Sequence, residues 1–117
     1  MKNIVMTLVL LFVFTTLMGQ ETKKEIKKSQ TNTELTTYYE NGQVKTHGYF
    51  NNDNKLEGNW VLYDESGEML VQGMYHDGMK VGTWLFWDHD NLKEAEFQAN
   101  KLVQYNLWTK AEYLAQK

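Results

Sequence analysis

The chain has 117 residues, is 42% hydrophobic and 23% charged, and contains neither cysteine nor proline. One domain of globular composition fits that length, and a disulfide framework, a thiolate metal site or a lipid-modified N-terminal cysteine is excluded. All 12 basic residues are Lys and the net charge is −3; lacking the planar guanidinium fork, the chain is poorly fitted to grip phosphates, so nucleic acid is not an expected partner.

The chain starts Met1-Lys2-Asn3, short and positive, and residues 4–18 are almost entirely apolar. As a helix that run would reach only about 22 Å, short of the ~30 Å hydrocarbon core. Gly19 and Gln20 follow, so residues 1–19 read as a secretory signal peptide cut after Gly19, and the mature protein as secreted or periplasmic. Residues 20–37 hold four Lys, three Glu, five Thr and only two aliphatics, Ile26 and Leu35. So little apolar area does not offset ordering entropy, and the segment reads as a flexible linker.

Residues 38–108 repeat. Tyr39, Tyr63 and Trp87 are spaced 24 apart, as are Trp60, Trp84 and Trp108. Gly42 and Gly67, like Gly48 and Gly73, are 25 apart, and Gly58 and Gly82 are 24 apart. Turn-forming residues at 40–43 and 65–68 precede runs of period two. Val44, Thr46, Gly48 and Phe50 share one face, and Met69, Val71, Gly73 and Tyr75 repeat it. Residues 51–57 and 76–81 read as loops, whereas Trp60-Val61-Leu62-Tyr63 and Trp84-Leu85-Phe86-Trp87 are apolar on both faces and need cover. The expectation is all-β: an antiparallel β-meander of about six short strands, built from about three 24-residue hairpin repeats.

Mid-strand Gly48 and Gly73 either receive the indoles of Trp60 and Trp84 or mark bulges. The third unit departs from the pattern: Glu96 replaces the mid-strand glycine, and Asn106 stands where Gly58 and Gly82 stood. In residues 109–117, Thr109 and Glu112 match a capping box, predicting a short C-terminal helix over the sheet end.

The segments YYENGQVK, GYF, EGNWVLYD, EMLVQGMY and VGTWLFWD give the chain its likeness: it resembles the MORN-repeat variant family, some of whose members are described as antitoxin-like. The resemblance covers residues 38–97 and continues in degenerate form to Trp108. It implies an array of β-hairpins used for protein–protein contact and scaffolding. For antitoxin-like relatives it also implies a cytoplasmic partner, against which the export signal counts. Better-known MORN proteins are linked to phospholipid binding. Here residues 38–108 carry five dispersed Lys against eleven acids, a balance of −6, which argues against strong anionic-lipid binding.

No catalytic, cofactor or metal constellation is expected. His47, His76 and His89 have no metal-ligand spacing, and the acids cluster at turns, where they are solvated. Ser29 and Ser66 lack a nucleophile-elbow context. An adenylyltransferase reading would need a His-x-Gly-His motif in a Rossmann-type domain, and His47-Gly48 is the nearest fragment. The leading expectation is therefore a non-catalytic exported β-repeat protein that binds another protein or itself, through an apolar face or an open edge strand. The alternatives are a glycan-binding module using exposed Trp and Tyr, and an antitoxin-like partner-binding protein.

Overall fold

The computed structural model describes residues 21–116, with side chains from Lys23 onward; the signal peptide assigned to residues 1–19 lies outside the described residues. The strands are β1 (Glu21–Lys28), β2 (Thr33–Tyr39), β3 (Val44–Phe50), β4 (Leu56–Tyr63), β5 (Met69–His76), β6 (Met79–Asp88), β7 (Asn91–Gln98) and β8 (Lys101–Thr109). A helix, α1 (Lys110–Ala115), follows. The eight strands form one sheet in sequence order, each antiparallel to the next. The fold is an all-β meander with a short C-terminal helix.

The flexible linker expected at residues 20–37 is corrected by two strands. Leu35 pairs with Gly48, is only 5% exposed and joins the core with Leu56 and Trp60. One anchored aliphatic and a row of β-branched Thr suffice to add β2 to an existing edge, and β1 then pairs along all of it. Composition undercounts such strands, because backbone pairing on a ready-made edge needs little apolar area of its own. The residues read as a loop at 76–81 are also strand: only Asp77 (φ 51°) and Gly78 (φ 84°) turn, joining β5 to β6 in a two-residue hairpin.

The hairpins do not advance by a uniform 24 residues. Tyr38 pairs with Val44 as Tyr63 does with Met69, an offset of 25, with a bulge at Lys45 and again at Leu70. Tyr38, rather than Tyr39, is thus the structural counterpart of Tyr63. Tyr39 sits where the chain turns, as Asp64 does: the Tyr39 amide donates to the Gln43 carbonyl, and the Asp64 amide to that of Glu68, both at 2.8 Å. Gly42 (φ 91°) and Gly67 (φ 93°) hold the left-handed turn positions in these two hairpins.

The core is an aromatic ladder on one face. The Trp60 indole lies across Gly48 and that of Trp84 across Gly73, so close that an added Cβ would stand 2.0 Å from each ring. The same glycines coincide with register shifts in the β3–β4 and β5–β6 pairings, so close approach and bulge occur together. Each indole N–H then donates to the carbonyl one residue beyond its glycine, Trp60 to Tyr49 at 3.0 Å and Trp84 to Met74 at 3.1 Å. Phe50, Tyr75, Phe86 and Phe97 fill the intervals, with ring centroids 5.0–6.2 Å apart.

Candidate interaction surface

The third hairpin unit stays in the sheet but does not continue the ladder. Ala95 pairs with Trp84 on one side and Tyr105 on the other. Its methyl group occupies the space a glycine would leave for a ring, and Tyr105 stays 54% exposed. Trp108, at the expected spacing, lies on the opposite face. It pairs with Leu92, as Trp87 does, and its indole donates to the Glu94 carboxylate at 3.1 Å. Asn106 has no positive φ, unlike Gly58 (φ 73°) and Gly82 (φ 70°), consistent with this break in equivalence.

Helix α1 caps Trp108's face. The Thr109 hydroxyl accepts the Glu112 amide at 3.1 Å, and the Glu112 carboxylate accepts the Thr109 amide at 2.8 Å, completing the capping box. The Thr109 backbone and hydroxyl together hold the Glu112 carboxyl below its usual range. Tyr113 then meets Trp87 and Trp108 edge-on, at 5.8 and 6.4 Å. Leu92, between those two indoles, is 1% exposed. The helix thus turns back over β7 and leaves the outer margin of β8 open.

On the ladder face, the end of the sheet is apolar and bare. Leu102, Tyr105 and Leu107 are 49%, 54% and 69% exposed, with Val103 beside them at a bulge. Together with Phe86, Ala95 and Phe97 they line a groove of ≈ 480 Å³ whose one charged wall residue is Lys93. The opposite margin is unlike it: β1 reads ETKKEIKK. No described strand pairs with either outer edge.

The remaining polar groups serve the framework. Glu57 accepts the Asp77 amide and a His76 ring bond, each at 2.9 Å, and these two bonds hold its carboxyl below the usual range. The same contact raises His76. Glu34 and His47 lie 2.7 Å apart across β2 and β3, and that bond lowers Glu34. Asp64 is lowered by the Ser66 hydroxyl and the Glu68 amide, as the organiser of its turn. His89 is exposed, with its ring 3.9 Å from Asp88. Among the described residues no three His, Asp or Glu side chains are grouped to hold a metal ion.

The predicted repeat residues are thus divided between two faces and two roles. Trp60 and Trp84 are buried, so neither is an exposed stacking platform. Tyr39 is 2% exposed and donates its hydroxyl to the Tyr63 carbonyl at 2.7 Å, linking neighbouring hairpin turns. Lys45 was not singled out by sequence reasoning; it is fully buried, its ammonium 5.3 Å from the Tyr39 ring. Beside it, Thr37 and Thr46 pair across β2 and β3 with hydroxyls that have no hydrogen-bond partner among the described residues. The sequence-level signal for Lys45 is the 25-residue spacing of Gly42 with Gly67 and of Gly48 with Gly73 within a 24-residue repeat, which the bulges at Lys45 and Leu70 accompany.

No protein-family model matches the chain, and neither does any curated protein.

Proposed function

We propose that this is an exported, non-catalytic β-repeat protein of MORN-variant type that works as a protein–protein interaction or scaffold module, with β8 and the adjoining end of the ladder face as its contact surface. The carrying observation is the run of exposed apolar side chains on an unpaired edge strand, Leu102, Val103, Tyr105 and Leu107. Contiguous apolar area of this kind is costly to leave in water unless a partner covers it. The non-catalytic reading draws support from the perturbed carboxylates: Glu34, Glu57, Asp64 and Glu112 each owe their shift to a bond within a strand pair, turn or cap. A secreted or periplasmic location, and the absence of nucleic-acid and strong anionic-lipid binding, belong to the same reading.

A glycan partner would stack first on Tyr105, the most exposed aromatic among the described residues, since Trp60 and Trp84 are buried beneath the sheet's own side chains. Around Tyr105 the surface offers leucines rather than the carboxylates and amides that bind sugar hydroxyls, which favours protein. Affinity capture from the native envelope fraction tests the proposal, with wild-type bait against a Tyr105→Lys/Leu107→Lys bait. A protein retained by the first and lost by the second is expected. Equal retention would move the contact surface elsewhere, and binding on a glycan array that the double variant abolishes would replace protein with sugar.

A further inference from the structure

We infer that the partner of β8 is a second copy of this chain, paired antiparallel across a two-fold axis so that two eight-stranded sheets become one; this rests on reading β8 as the contact surface. The two margins of the sheet are built differently. β1 carries Lys23, Lys24, Lys27 and Lys28, the usual protection of an edge against another strand. β8 carries one charge, Lys101, at its far end, and every residue from Lys101 to Leu107 is exposed. The helix that follows does not screen this edge: residues 101–107 all stay exposed, and its Tyr113 ring rests on Trp87 and Trp108 on the other face.

The sequence of β8 complements itself. The bulge at Val103 ends regular pairing there, leaving residues 104–108 as the straight part of the edge. With the axis at Asn106, Tyr105 of each copy faces Leu107 of the other on the ladder face. Gln104 faces Trp108, and the two Asn106 amides meet, on the helix face. No charged side chain lies within the paired segment, so like charges are never opposed. The two other edge combinations are worse. Two β1 strands would oppose lysines, and β8 on β1 would set Tyr105 and Leu107 beside Lys24 and Lys28 in an open-ended chain of subunits. A pairing this short falls at the low end of specific interfaces, below about 1,200 Å² in total. The dimer is therefore weak and concentration-dependent.

The chain has no cysteine, which makes single-cysteine probes clean. Purified Asn106→Cys protein, oxidised mildly at high micromolar concentration, is expected to form a disulfide dimer. It should do so about tenfold or more faster than Lys27→Cys on the opposite edge, because pairing raises the local thiol concentration. Adding Tyr105→Lys and Leu107→Lys should erase the difference, while circular dichroism reports an intact sheet. Equal rates for Asn106→Cys and Lys27→Cys, or a wild-type mass that stays monomeric throughout sedimentation equilibrium, would overturn self-pairing. If that happens and the capture experiment still retains a foreign protein through β8, the interaction reading stands without the dimer. If neither binds, both fall.

Discussion

The β4–β6 and β7–β8 regions share one topology and reach opposite outcomes. In the first, Gly73 has no side chain, the Trp84 indole lies flat across it, and the ring is 4% exposed. In the second, Ala95 holds the equivalent place and Tyr105, paired with it, is 54% exposed. One methyl group, together with the shift of Trp108 to the other face, turns a repeating core into a surface. A terminal repeat can thus become a binding face through loss of the feature that seals its neighbours, without acquiring new machinery.

That contrast can be broken most forcefully at the ladder. Trp60→Ala should cost about 3–5 kcal/mol, the usual loss for a buried large aromatic, whereas Tyr105→Ala should stay within about 0.5 kcal/mol of wild type; urea denaturation at low protein concentration measures both. Equal costs would mean that Tyr105 belongs to the core. Gly73→Ala should cost at least about 1–3 kcal/mol by overpacking the indole, while the reverse change, Ala95→Gly, should cost only about 0.5–1 kcal/mol through chain entropy. A tolerated Gly73→Ala would show that the indole can leave the glycine without penalty.

These asymmetries mark where the sequence was readable. The meander, the glycine–tryptophan ladder and the capping box follow from period-two patterning, Gly spacing and Thr109 with Glu112, all local signals. β1 and β2 were not legible, because of their two aliphatics only Leu35 is buried, and its burial depends on Gly48 in the next strand. Trp108 misled for a related reason: its spacing repeats, but the bulge at Val103 reverses the alternation of β8 after the turn at Ala99 and Asn100 and so sends the indole to the other face. Lys45 was obscured by its bulge. The exposed strip on β8 looked like ordinary strand sequence until Ala95 was seen to end the ladder.

Smaller effects sharpen the role of the helix and the turns. Thr109→Ala should cost about 1 kcal/mol by removing the N-cap and loosen Tyr113 from Trp87 and Trp108, read as a weakened near-ultraviolet dichroism signal. The smallest effect concerns His76 and Glu57. Glu57 is lowered from 4.5, so its contribution is present above that pH and is lost as pH falls through the lowered value. His76 is raised from 6.5, so its contribution is present below that pH and fades as pH rises through the raised value. The stability difference between wild type and His76→Gln should therefore be greatest between pH 4.5 and 6.5 and shrink on either side. A difference that does not vary with pH would remove the pair from the account.

Amide hydrogen exchange along β8, followed at several protein concentrations, tests the central claim most directly. The outward-facing amides within residues 104–108 should become protected as concentration rises, while those on the outer side of β1 continue to exchange freely. Exchange on β8 that is fast and independent of concentration, alone and with envelope extract, would contradict the claim that this edge is a contact surface.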